Sequence, residues 1–332
     1  MRPTLCIVLA LSTWSTAGFL AQQPSTQTTA TPPAHQAPQA KKKLYDESAD
    51  ARQQIAAAVA KAKAGNQRVL VQWGGNWCPW CIRLHEVMSS DKHLRKEIQY
   101  EYVVVHVDAG RPRGKNMDLA ASLGAEINGF PFLTILDADG KPVAQAETEQ
   151  FEVKGPDGKP KGVEAGHDRE SLLKFLKDHE TPRQDARAVL DGGLARAKAD
   201  GKSVFLHFGA PWCVWCHRLE DWMAGPEIAP VLAKDLILVK IDTDRMTGGQ
   251  ALLDSMNRVK NGGIPWSVVL DAEGRPVIDS NGEKGNIGYP AAAEEIAHFE
   301  VMINKARRNM TPQDVEMLKA SLTDAAAKLN SR

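Results

Sequence analysis

Two five-residue stretches, Trp77-Cys78-Pro79-Trp80-Cys81 and Trp212-Cys213-Val214-Trp215-Cys216, each set two thiols three residues apart. Each follows a strand-like apolar run. About fifty residues after each comes an apolar residue followed by proline, Phe130-Pro131 and Ile264-Pro265. The chemistry available to such pairs is thiol–disulfide exchange, in which a thiolate attacks a disulfide sulfur. A pair that opens a helix puts its first cysteine beside unpaired backbone N–H groups and the positive end of the helix dipole. That environment stabilises the thiolate and lowers the thiol pKa below its free value of ~8.5. Cys78 and Cys213 are therefore the expected nucleophiles. Cys81 and Cys216, one turn deeper, are placed to resolve a mixed disulfide. Cys6, the fifth cysteine, lies in an apolar N-terminal stretch, so no sulfur remains for a structural disulfide framework.

The elements that must position these pairs are written twice. Cys78 maps onto Cys213 at an offset of 135, while Asp108 onto Asp242, Pro131 onto Pro265, and Leu136–Val143 onto Leu270–Val277 all fall at 134. Four landmarks in one order with a one-residue slip mean duplication. Each copy reads as an alanine-rich helix (49–64, 185–199), a strand (68–73, 203–208), a helix opened by the cysteine pair, and a strand ending at the mapped aspartate. A third helical stretch, the proline step and two strands joined by Asp139-Gly140 or Glu273-Gly274 follow. A closing helix, 168–179 with Asp168 as its cap or 291–306, completes the unit. This order predicts an α/β fold, a mixed central sheet flanked by helices, in two tandem domains spanning 45–180 and 181–310. A Gly/Lys/Pro-rich insertion at 154–166 reads as an exposed loop, and 311–332 as an extra polar helix.

These residues resemble the thioredoxin superfamily over roughly 45–180 and 185–306, on the Trp-Cys-x-x-Cys after the first central strand and the apolar-Pro step before the next. The longer loop between pair and proline is similar to that of secreted bacterial thioredoxin-like domains. The resemblance implies cis bonds at Pro131 and Pro265, facing the cysteines, with Phe130 and Ile264 offering backbone to an extended substrate. Pro79-Trp80 resembles the Pro-aromatic pair of glutaredoxins, whereas Val214-Trp215 lacks the proline, so the two copies need not share one potential. Trp80 and Trp215 are candidate apolar contacts for a partner chain. The family's buried carboxylate, six residues before the first cysteine, is replaced by Gln72 and His207. Gln72 cannot take a proton at ordinary pH; His207 can, and is the candidate proton-transfer group of the second copy, with a core histidine satisfied by a hydrogen bond as the alternative. His85, Glu86, His217 and Glu220, one turn past the cysteines, are read as solvent-facing helix residues, with modulation of the cysteines as the alternative.

Composition narrows the function classes. The 332 residues carry 41 Lys+Arg against 41 Asp+Glu, so no global field favours nucleic acid or an anionic membrane. Arg2 and the apolar run from Leu5 to Leu11, followed by Ser15, Ala17 and Ala21, read as a signal peptide over 1–21, with an uncleaved membrane anchor as the alternative. Residues 22–44, rich in Gln, Thr, Pro and Ala, read as a disordered linker. Export implies a periplasmic or secreted, oxidising setting. No dinucleotide fingerprint is present, so the expectation is no cofactor, protein thiols and disulfides as substrates, and an external protein donor or acceptor of electrons. A relay from one domain to the other is a further expectation. Two rivals are a zinc site, disfavoured by the 131 residues between Cys81 and Cys213, and a redox-inactive peptide-binding or chaperone module.

Overall fold

The computed structural model describes residues 43–112, 114–257 and 262–330; the stretch read as a signal peptide, with Cys6, and all of the stretch read as a linker except Lys43 and Leu44 lie outside these residues. The first copy runs α1 (Ala51–Gly65), β1 (Arg68–Gly74), α2 (Pro79–Ser90), α3 (Lys92–Glu101), β2 (Tyr102–Asp108), α4 (Met117–Ser122), β3 (Phe132–Leu136), β4 (Pro142–Glu147) and α5 (Arg169–Lys177). The second runs α6 (Ala186–Asp200), β5 (Ser203–Gly209), α7 (Val214–Met223), α8 (Ala229–Leu232), β6 (Leu236–Asp242), α9 (Gly249–Met256), β7 (Trp266–Leu270), β8 (Pro276–Asp279) and α10 (Ala293–Ala306). After these comes α11 (Pro312–Asn330).

Each copy builds one four-stranded mixed sheet, ordered β2-β1-β3-β4 and β6-β5-β7-β8. The first two strands of each order are parallel and the rest antiparallel. The central strands β1 and β5 are buried on both faces, which is why Val69-Leu70-Val71 and Val204-Phe205-Leu206 read as continuous apolar runs. The period of two then sorts their side chains. Val69, Val71 and Trp73 pack against α1, while Leu70 joins Leu84, Leu94 and Leu172 from α2, α3 and α5 on the other face. Gln72 shares the face of Leu70, and His207 that of Phe205, so both point beneath the helix that carries the cysteines. Each side chain buried this fully contributes about 1.5–3 kcal/mol relative to exposure.

The helix starts follow local chemistry. Asp50, Asp91, Asp168 and Asp185 each cap a helix by accepting from its first backbone N–H groups. The C-terminal helix differs from the polar helix read from the sequence. Val315, Leu318, Leu322 and Ala326 recur every three or four residues and are buried, the first three within the core under α10. Residues 154–166 are mostly exposed, and they fold back through a bridge between Lys154 and Pro160. The segment delivers His167 into the protein. Among the described residues, no helix is long and apolar enough to cross a membrane.

Candidate active site

The first cysteine of each pair is itself the N-cap of its helix. Cys78 has extended backbone (φ −100°, ψ 105°), and its sulfur accepts the Cys81 amide at 3.1 Å. Cys213 (φ −81°, ψ 94°) accepts from the Cys216 amide at 3.2 Å. N-caps usually offer oxygen to these amides; here sulfur takes the role, so negative charge on it meets an amide dipole and the positive helix end. Each pair is closed on itself as a disulfide. Cys81 and Cys216 are fully buried. Both proline steps are cis, Phe130–Pro131 and Ile264–Pro265, and both lie at the cysteines. Phe130 packs on the cluster of Tyr45, Cys78 and Cys81, edge-on to Trp77 at 5.7 Å. Ile264 packs on Ala210, Cys213 and Cys216, and its carbonyl oxygen lies 3.7 Å from Cys213 Sγ.

Behind the buried cysteines the two copies part company. In the first, Gln72 Nε2 donates to the Tyr45 hydroxyl (2.7 Å) and to Cys81 O (3.0 Å). Tyr45 is pinned to the site by Asn76, which accepts from its N–H and donates to its carbonyl. Burial pushes the Tyr45 phenol well up. His106 stacks edge-on with Tyr45 and His85, and burial, then the neighbouring His85, lowers its pKa to about 4. All of these groups are neutral at pH 7. In the second copy, His207 Nδ1 lies 3.2 Å from Ser267 Oγ and its Nε2 3.3 Å from Glu220 Oε1. Glu220 Oε2 accepts from Lys240 Nζ at 2.8 Å and lies 3.7 Å from His217 Nδ1. Burial pushes the Glu220 carboxyl up, but His207, His217 and Lys240 more than reverse this and hold it well below the usual carboxylate range. Glu220 and Lys240 align with His85 and His106. A charged set thus stands where the first copy has neutral rings. The reading of Glu220 as a solvent-facing residue is corrected: its side chain turns under the helix to the strand ends. Glu86 does face solvent, paired with Arg83, while His85 and His217 are half-buried.

A thioredoxin-like domain model matches residues 55–150, and a second thioredoxin-like model matches 185–272. Both halves are thioredoxin-like domains. The thiol:disulfide interchange protein DsbD of Vibrio cholerae is 34% identical over 89 residues, 26% of this chain and 14% of that protein. The disulfide bond reductase DsbH of Chlamydia pneumoniae is 29% identical over 79 residues, 22% of this chain and 46% of that protein. The matched region thus spans less than half the length of either relative. Among solved structures, a disulphide isomerase from Xylella fastidiosa is 24% identical with a TM-score of 0.34, covering 42% of this chain and 98% of that one.

The surfaces around the two domains' cysteines also differ. In the first domain Trp80 is half-buried, edge-on to His167 at 5.3 Å. In the second, Trp215 lies 6.0 Å from Tyr289 with the Arg218 guanidinium 4.4 Å over its ring, yet stays 47% exposed. Val214 (59%) and Trp212 (51%) extend this apolar surface. Sequence reasoning missed Tyr45, His167, Tyr289, Lys240 and the inward turn of Glu220. Only Glu220, one turn past Cys216, carried a local signal.

Proposed function

We propose that the chain is a thiol–disulfide oxidoreductase with two dithiol sites that act on cysteines of protein substrates. The observation that carries this reading is the geometry repeated in both domains: an N-cap cysteine sulfur, a buried partner sulfur three residues on, and a cis-proline step against them. The likeness to DsbD and DsbH supports it. In the reducing direction the Cys78 or Cys213 thiolate attacks a substrate disulfide, forming a mixed disulfide and releasing one substrate thiolate. The deprotonated second cysteine, Cys81 or Cys216, then attacks that Cys78 or Cys213 sulfur and releases the other substrate thiolate. Two electrons pass to the substrate and the dithiol becomes a disulfide; oxidation runs the same steps backwards. An external protein donor or acceptor of electrons resets the pair, and the compartment is periplasmic or secreted. Phe130, Pro131, Ile264 and Pro265 form the docking edge for extended substrate, with Trp80 and the exposed Trp215 beside it. His207, coupled to Glu220, takes the Cys216 proton.

The test is exchange with a disulfide-bonded model polypeptide such as insulin, using dithiothreitol-reduced protein. Cys78→Ser and Cys213→Ser should each remove one site's turnover, and the double variant both. A double variant that still reduces insulin at the wild-type rate overturns the assignment.

A further inference from the structure

The second domain's active-site loop rests on the first domain. Arg245, just past β6, sends Nε and Nη2 to the two Glu101 oxygens at 3.0 and 2.7 Å, and donates to the carbonyls of Gly65 (2.8 Å) and Asn66 (2.7 Å). Both partners of this ion pair are 6% exposed at the side chain. Beside it, one carboxylate oxygen joins the domains: Asp244 Oδ2 accepts from the Tyr100 hydroxyl at 2.8 Å and from Trp212 Nε1 at 3.0 Å. Trp212 is the residue before Cys213. Gln99 Nε2 donates to Pro211 O in the same loop (3.2 Å), and His217 Nε2 lies 2.8 Å from that oxygen. Nearby, a cleft of about 560 Å³ between the domains is lined by Lys61, Ala64 and Gly65 on one side and His207, Glu220 and Lys240 on the other.

The ends that meet are unlike. Residues 65–66 and 99–101 precede β1 and β2, at the end of the first sheet away from Cys78, whereas 211–212 and 244–245 follow β5 and β6, at the cysteine end of the second. The domains dock head to tail. The duplication supplies an internal comparison. Glu101 aligns with Asp235, whose buried carboxylate takes the N–H groups of Arg308, Asn309 and Met310, each at 2.8 Å. The Arg308 guanidinium reaches the carbonyl of Gly201, which caps α6 as Asn66 caps α1. In both domains this corner is a socket for an arginine-bearing segment: the second domain's head fills one, and the loop between α10 and α11 fills the other.

We propose that the tail socket of the first domain is a positioning surface for the second dithiol site, with Tyr100 and Glu101 acting through Asp244, Arg245 and Trp212 on Cys213. This rests on the oxidoreductase reading. Docking also sets the two pairs at opposite ends of β1, seven residues or ~20 Å long. Disulfide exchange between them within one molecule therefore requires undocking.

The test equilibrates full-length protein with dithiothreitol or glutathione buffers, alkylates free thiols and reads each pair by mass spectrometry. Tyr100→Phe, which removes one hydroxyl, and Glu101→Gln should each shift the Cys213–Cys216 equilibrium constant at least threefold, while Cys78–Cys81, in the domain that carries the change, stays at its wild-type midpoint. The proposal is overturned if both variants leave Cys213–Cys216 at its wild-type midpoint, or if both pairs shift together. Wild-type pairs that show no reversible transition overturn the oxidoreductase reading itself, whatever the variants do.

Discussion

Gly74 and Gly209 show how closely the inner sulfurs are enclosed. A methyl on Gly74 would sit 2.4 Å from Cys81 Sγ and 2.7 Å from the Tyr45 hydroxyl; one on Gly209 would sit 3.3 Å from Cys216 Sγ and 3.4 Å from Glu220 Oε1. Overpacking of this kind costs about 1–3 kcal/mol. Gly74→Ala should fall at the upper end of that range and Gly209→Ala at the lower, read by denaturant unfolding of oxidised protein. The same crowding places Glu220 beside Cys216, with His207 between that carboxylate and Ser267. His207→Phe should slow release of a mixed disulfide from Cys213 on the order of 10²-fold, the scale of a lost acid–base group, and leave release from Cys78 unchanged. Stopped-flow release of a labelled thiol measures both, and equal slowing at the two sites would remove His207 from the chemistry. Cysteines and prolines were legible in the sequence because spacing alone carries their meaning. Lys240 and Tyr45 were not: each reaches the site from a segment remote in sequence, along a path that exists only once the sheet is built.

At the scale of elements, α3 and the loop before α11 carry the electrostatic weight. Asp235 binds three consecutive backbone N–H groups ahead of α11. Asp235→Ala leaves them without their acceptor and should cost about 3 kcal/mol, twice an ordinary hydrogen bond or more, seen as a lower midpoint in urea. Glu97 on α3 sets a pH dependence. Burial, then the nearby Glu180 carboxyl, raises its pKa from 4.5 to about 7. The native protein keeps a proton that the unfolded chain releases near 4.5. The stabilisation is therefore complete below about 4.5 and lost as pH rises through about 7. Glu97→Gln should flatten the fall in stability between pH 5 and 8; an unchanged slope would mean that Glu97 titrates normally. The strands, the alanine-rich and cysteine-bearing helices and the hairpins were legible because apolar runs, alanine-rich stretches and turn residues agree; α3 and α8, short and without such a pattern, were not read as separate helices. The amphipathic character of α11 was missed because its apolar face is only one residue wide per turn.

For the whole molecule, duplication followed by divergence explains why one chain carries two unlike sites. The first has Pro79 after Cys78 and neutral groups behind Cys81; the second has an exposed Val214 and a carboxylate, an ammonium and an imidazole behind Cys216. Charge behind a buried thiol changes the balance between dithiol and disulfide, so the two pairs should have different potentials. Duplication was legible from four mapped landmarks, but head-to-tail docking was not, since Glu101 and Arg245 stand 144 residues apart. The most direct test of the central claim is a redox titration of the wild-type protein with each cysteine pair quantified separately. The account predicts two reversible two-electron transitions with distinct midpoints, within the range of about −270 to −120 mV spanned by redox-active pairs of this spacing. A pair that stays oxidised at the most reducing poise would contradict it, as would one that never closes.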